Sequence, residues 1–489
     1  MNKIENTIEN PLSSGLIYAR LRSPGALAIA SISIFIILIG LIGMFTMGED
    51  VFTDIQAIST KFKTVDLDAG VLLPLLMVGA VLSVIGAALI LTRKKYVFFG
   101  LLFAAFALSE VLVPGVNVIS FVIRNIFMVT LISAGLSSLF RSGVKNPDWI
   151  PRLGLMYLIW CLLNLFINGV NIESLTMLPM QFAIFIGIII GLRSFFQTLP
   201  DIRRFFVVLG WIGAALTIFH LSALFFVSAP FLAGRFRSAF LLPTNFANGY
   251  ALLFVAMLWL MITEKKMFFK VVLLGCVAIG MVLLALSGTR NALVMLLIAI
   301  SAFALVWRIK IALYFGLGFI IIAGIISAFL HDSHSVSFIS ERLSETRTSD
   351  RQVVWDLSWN YISNRPWVGY GLGRGQDAID KSLPFWAQLN SHNAYLGIWL
   401  QTGIIGLFFV AFMYVVTLVR ALKMLLSKKV DRQIKEVLVL PFALLLGLMI
   451  TGLVEENLTS RGSFQQLIWG SSILIISAIK MLQNGLQKE

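Results

Sequence analysis

The chain has 489 residues, of which 58% are hydrophobic and only 13% charged, with a formal net charge of +14 and a mean hydropathy of +0.92. So little charge cannot cover the surface of a soluble domain of this size; the composition excludes that class and predicts an all-α, polytopic integral membrane protein. The basic residues flank apolar runs, so they read as topology signals for a lipid bilayer rather than as a nucleic-acid surface.

Residues 1–23 are polar and carry Lys3, Glu5, Glu9, Arg20 and Arg22. They read as a cytoplasmic N-terminal segment and not as a cleavable signal, because the first apolar run is long enough to span and lacks a small-residue cleavage site. Fourteen apolar runs of spanning length follow, at roughly 24–47, 70–92, 96–113, 115–139, 150–168, 175–196, 205–228, 244–262, 268–286, 290–307, 311–330, 392–419, 436–454 and 464–484. They divide the chain into helices 1–11 (24–330), a long extracytoplasmic loop (331–391), and helices 12–14 with a cytoplasmic C-terminus (392–489). Alternate connections hold the basic clusters, from Arg93-Lys94-Lys95 to the group between Arg420 and Lys435. That face is therefore expected to be cytoplasmic, with both termini on it. Cys161 and Cys276 lie inside apolar runs without metal-ligand spacing, which predicts packing and no disulfide.

A loop as long as 331–391 is either functional or disordered, and its Trp, Gly and Arg content argues for order. Ser349-Asp350 followed by 351–362 reads as a capped amphipathic helix, with Val354, Trp355, Trp359 and Ile362 on one face and Arg351 and Asp356 off it. Arg365-Pro366-Trp367-Val368-Gly369-Tyr370-Gly371-Leu372-Gly373 then breaks the helix, its alternating glycines permitting a tight backbone path.

His392 opens the run His392-Asn393-Ala394-Tyr395, where a polar loop enters an apolar helix with glycines at 403 and 406. A histidine at such a mouth can serve as a general base near neutral pH. Arginines on the outer face run against the positive-inside tendency and need another reason: Arg237 before the Pro243-Thr244-Asn245 helix entry, Arg290 after Ser287-Gly288-Thr289, and Arg351 at the loop helix. Guanidinium forks suit the oxygens of a diphosphate; interfacial snorkelling is the alternative for each taken singly. Arg124 lies within a span, as a functional charge or as the partner of an acid such as Glu110. Asn245, Asn393 and Trp355 are candidate supporting residues. His220 reads as a core residue, and His331/His334 lack an evident third metal ligand. Glu455-Glu456 at an outward helix end is a candidate for positioning sugar hydroxyls.

His392-Asn393 followed by Gly403-Ile404-Ile405-Gly406 resembles the signature of the bacterial O-antigen ligase and O-antigen polymerase family. So do Arg351…Trp355…Pro366…Gly369…Gly371…Gly373, the Arg237/Pro243/Asn245 segment and Ser287-Gly288-Thr289-Arg290, which together cover roughly 230–410. The resemblance implies a multi-pass enzyme of the bacterial inner (plasma) membrane whose active site faces the periplasm or exterior. It would be a metal-independent, inverting glycosyltransferase without a cofactor. Its donor would be a glycan on undecaprenyl diphosphate, and its acceptor a sugar hydroxyl on a lipid-linked glycan or on lipid A-core. On that analogy His392 activates the acceptor, while Arg237, Arg290 and Arg351 hold the leaving diphosphate. A chain-length regulator and a flippase are candidate partners. Gln401 stands where many relatives carry an acid. The span count exceeds that typical of the ligases, which favours a polymerase.

Overall fold

The computed structural model describes residues 83–91, 94–109, 111, 116–142, 148–170, 172–191, 196–227, 230–232, 235–240, 242–307, 349–373, 392–455 and 464–486. The predicted spans at 24–47 and 311–330, most of that at 70–92, and Glu110, His331 and His334 lie outside them. The described chain is an all-α bundle: α1 (Lys95–Leu108), α2 (Val116–Ser142), α3 (Trp149–Asn168), α4 (Ile172–Phe182) continuing as a π-helix (Ala183–Gly191), and α5 (Leu199–Phe226). A short hairpin, β1 (Phe231–Leu232) and β2 (Arg235–Phe236), precedes α6 (Pro243–Thr263), α7 (Met267–Leu286) and α8 (Arg290–Trp307). Then come α9 (Ser349–Asn364), α10 (Ala394–Leu426), α11 (Arg432–Thr451) and α12 (Phe464–Leu486). Among the described residues eight helices, α3, α5–α8 and α10–α12, are long and apolar enough to cross a membrane.

Local chemistry sets the helix starts. Asp148, Thr198 and Asp431 cap α3, α5 and α11 by accepting from the N–H groups of Ile150, Asp201 and Gln433. Pro179 cannot donate to the ladder of α4, and the helix passes beyond it into the wider π form. Helix α6 is apolar all round and buried continuously from Tyr250 to Met261, as expected of a core helix. It packs against α5, α7, α8, α11 and α12. Close approach of α5 depends on a missing side chain, since a Cβ on Gly213 would stand 2.6 Å from the Leu253 carbonyl oxygen.

The two ends of the bundle differ. At one end Lys95 pairs with Asp201 at 2.7 Å, Trp259 Nε1 donates to the Glu436 carbonyl at 2.7 Å, and Arg420 pairs with buried Asp148 at 2.8 Å. Ser477 also hydrogen-bonds that aspartate. Here lie the basic pairs Lys94–Lys95, Arg203–Arg204, Lys265–Lys266 and Lys428–Lys429, at helix starts and in connections. The other end gathers the hairpin, the Ser287–Thr289 hinge, α9, and the meeting of α10 with α11.

Helix α10 is broken. The predicted span ran unbroken through 392–419, but Gly403 has φ 70° and ψ −179°, a conformation open essentially only to glycine. The 365–373 segment fills the gap. Tyr370 and Gly371 donate their N–H groups to the carbonyls of Leu400 and Gln401 at 2.8 and 3.0 Å, and Ile404 donates to Pro366 at 2.8 Å. Trp160 Nε1 takes the Thr402 carbonyl at 2.7 Å, and Gln401 Oε1 accepts from Gly373 N at 3.2 Å. Backbone meets backbone so closely that a Cβ on Gly403 would run into the Trp367 carbonyl. A Cβ on Gly369 would stand 2.6 Å from the Leu400 oxygen. The groups freed by the break are thus paired within the protein, as a membrane interior demands.

Helix α9 forms where the sequence placed it, beginning at Ser349. Its buried stripe differs from expectation: Val354, Ser358 and Ile362 face inward, Trp355 is half-buried, and Trp359 is exposed. The reason is α10, whose Trp399 meets Trp359 edge-on at 5.3 Å and so takes that ring outside the stripe.

Candidate active site

The start of α10 organises the site. His392 has φ 47°, a left-handed conformation that costs a non-glycine residue about 1–2 kcal/mol. It leads directly into the helix that Asn393 caps, whose Oδ1 accepts from Tyr395 N and Leu396 N at 2.9 and 3.1 Å. Asn393 therefore shapes the mouth through its cap. Ala394 N donates to the Gly452 carbonyl at 2.8 Å, and the Tyr395 hydroxyl to the Met449 carbonyl at 2.8 Å. These bonds tie the start of α10 to the end of α11, where Glu455 stands.

Glu455 is a junction of three elements. Its Oε1 accepts from Asn291 Nδ2 of α8 at 2.9 Å and from Arg351 Nη2 of α9 at 3.3 Å. The carboxylate side chain is 17% exposed and the arginine 36%. Burial pushes the Glu455 carboxyl above the usual carboxylate value, against the opposing pull of Arg351, the Asn291 bond and Arg235. Arg351 acts on His392 as well. Burial first, and the positive charge of Arg351 second, hold the imidazole below its ordinary 6.5.

Arg235 completes the group. Its Nε donates to the Ser287 carbonyl at 2.8 Å and its Nη2 to Thr289 Oγ1 at 3.0 Å, so the Ser-Gly-Thr hinge between α7 and α8 cradles a guanidinium. Arg237 lies two residues along the same hairpin, half-buried, with its backbone N–H on the Pro230 carbonyl at 2.9 Å. Arg290 is exposed at the first turn of α8, beside Asn291. Trp355 is one turn along α9 from Arg351.

Two predicted residues have other surroundings. Arg124 donates to Ser109 Oγ at 3.2 Å and lies over the Phe106 ring at 5.5 Å; its proposed partner Glu110 is outside the described residues. Asn245 lines a pocket with Phe106, His220, Phe240, Tyr250 and Gln465. His220 itself is a core residue, its Nδ1 2.8 Å from Ser238 Oγ and its ring against Phe240, Phe246 and Tyr250.

Sequence reasoning chose Arg237 from the Arg235-Phe236-Arg237 run and passed over Arg235 and Asn291. The signal was present: Phe236 is fully buried, and the alternation of an extended segment assigns positions 235 and 237 alike to the side opposite it. Asn291 carried no such signal, because its partner Glu455 is 164 residues away.

The O-antigen ligase family model matches residues 275–411, the family the motifs resemble. The match runs from the middle of α7 to just past the break in α10, and holds Arg290, Asn291, Arg351, His392 and Gly403. Arg235, Arg237 and Glu455 fall outside it. No curated protein matches the chain.

Proposed function

We propose that this chain is a membrane glycosyltransferase of the O-antigen ligase type, moving a glycan from undecaprenyl diphosphate to a sugar hydroxyl outside the plasma membrane. The observation that carries the reading is the gathering of a histidine and two arginines from three separate elements at one end of the bundle, His392 and Arg351 inside the matched segment and Arg235 outside it. His392 is half-buried beside the charge of Arg351, and both hold its imidazole below the ordinary 6.5, which favours the neutral form that accepts a proton. The acceptor oxygen attacks the anomeric carbon as His392 takes its proton. The bond from that carbon to the phosphate oxygen breaks on the opposite face, and the electron pair leaves with the diphosphate. Arg351 and Arg235, with Arg237 from the same hairpin as Arg235 and Arg290 from α8, stabilise the charge that develops there. His392 returns its proton to water. Attack opposite to departure inverts the configuration.

Polymerisation of repeat units of a cell-surface polysaccharide is the first reading, from the number of apolar runs in the sequence. Transfer to lipid A-core is the second, favoured by the description of the matched family. Purified protein in vesicles, given a lipid-linked repeat unit and either a second unit or lipid A-core, separates them without added metal. Extended chains support the polymerase and glycosylated core the ligase; no product with either acceptor overturns the class. His392→Ala should lower transfer by about 100-fold or more, the scale of a lost general base, with folding intact.

A further inference from the structure

Glu455 has no part in the chemistry just described, and its position is costly. A carboxylate is largely enclosed at a point where an anion is to be bound, and it occupies one of the guanidinium groups that would bind it. We propose that Glu455 is a positioning residue for the donor: it holds Arg351 and Asn291 while the site is empty and yields the arginine to the incoming diphosphate. The inference rests on the reading of Arg351 as a diphosphate ligand.

The physical argument is one of competing anions. In the empty site the bond to Glu455 fixes Arg351 at the start of α9, and Asn291 fixes the carboxylate from α8. Without it, the half-buried guanidinium groups of Arg351 and Arg235, both of which act on the carboxylate, would lose their common counter-charge. When the diphosphate arrives, two anions meet around the same arginine in low dielectric, and one must be neutralised. The diphosphate of a lipid-linked sugar cannot be, since each phosphorus carries one ester bond, the shared anhydride bond and a single strongly acidic hydroxyl that stays ionised. Glu455 can, by taking a proton from water. The Asn291 amide still donates to the carbonyl oxygen of the neutral acid, so the junction survives the exchange. When the diphosphate leaves, the proton returns to water and the carboxylate recaptures Arg351. Neutralising Glu455 also removes a repulsion from the donor without moving a helix.

The sign of the pH dependence follows. Donor binding raises the carboxyl pKa further, so affinity is greatest at low pH and falls as pH rises from the free to the bound value of Glu455, by up to about tenfold per unit. Among the described residues the charged groups that act on it are the guanidinium groups of Arg351 and Arg235, and Arg351 in turn acts on His392. The probe is a short-chain polyprenyl-diphosphate N-acetylglucosamine bound to the full chain in vesicles from about pH 5 to about pH 8. Calorimetry of the unsubstituted protein in two buffers of different ionisation enthalpy should show uptake of about one proton. Glu455→Gln keeps the shape and the Asn291 bond; it should bind with pH-independent affinity, at least about tenfold tighter than the unsubstituted protein at the alkaline end. His392→Gln should keep the original slope. No proton uptake, an unchanged slope in Glu455→Gln, or weaker binding in that variant overturns the proposal. Arg351→Gln separates it from the reading beneath: unchanged probe affinity there removes Arg351 from the diphosphate site altogether. Weak binding in Arg351→Gln with an unaltered Glu455→Gln removes only the exchange.

Discussion

Gly403→Ala is the sharpest single test of how this site is built. The native φ of 70° with ψ −179° lies where side chains are essentially excluded, a strain of about 1–3 kcal/mol. The new methyl would also strike the Trp367 carbonyl and the Val368 nitrogen. Both are backbone atoms pinned by the bonds of Ile404 to Pro366 and Tyr370 to Leu400, so they have little freedom to retreat, and overpacking adds about 1–3 kcal/mol. The total, about 2–6 kcal/mol, is comparable to the free energy that holds the 365–373 segment in the break. The expected result is therefore detachment of that segment with the bundle still folded. Hydrogen exchange at the amides of Tyr370, Gly371 and Ile404 should accelerate by at least about 30-fold, the equivalent of the lower figure. Glycan transfer should fall with it. Gly275→Ala is the control, because a Cβ there meets nothing within 4 Å and alanine is the better helix former. Native exchange rates at those amides in Gly403→Ala would refute the account of the break.

The remaining predictions concern the base and the neighbouring amide. Because burial and then Arg351 lower the His392 value, kcat should hold steady on acidification until the pH is below the ordinary histidine 6.5, and only then fall. Arg351→Gln should move that acid limb upward in a pH–rate profile taken at saturating donor. Gln401→Ala should cost about 1–3 kcal/mol in thermal denaturation, the penalty of leaving the buried Gly373 N–H without its acceptor.

The boundaries of most described helices were legible in the sequence because apolar length is a direct consequence of bilayer thickness. The run at 150–168 became α3 at 149–168, and 290–307 became α8 without change. What the pattern could not carry was the break in α10. Residues 394–426 are apolar on both sides of Gly403, and hydropathy does not register a reversal of one backbone angle. The signal for it was divided between Gly403 and Gly369, which only the fold joins. Much the same holds for the site. The separate residues His392 and Arg351 were readable from their setting at helix starts, whereas Glu455 acquired meaning only once the ends of α8, α9 and α11 met.

The break also explains how a loop helix and a membrane helix can hold an imidazole and a guanidinium in register. Helix α9 and the first part of α10 both run toward the same splice, touching midway through Trp359 and Trp399. Trp399 Nε1 further donates to the Pro366 carbonyl at 2.9 Å. From the splice back to Arg351 is roughly 20 Å of helix, and back to His392 roughly 16 Å, at 1.5 Å per residue. Their tips therefore carry the two groups whose charges interact, while the backbone bonds at the splice fix the angle between the arms. A swing of about 5° there would move the tip of the longer arm by about 1.7 Å. Misplacement on that scale costs catalysis on the order of 100-fold. Gln401 belongs to the same joint: its side-chain oxygen accepts from Gly373 N, and a carboxylate oxygen would serve there equally well. Glutamine makes that bond without adding a charge to the membrane interior.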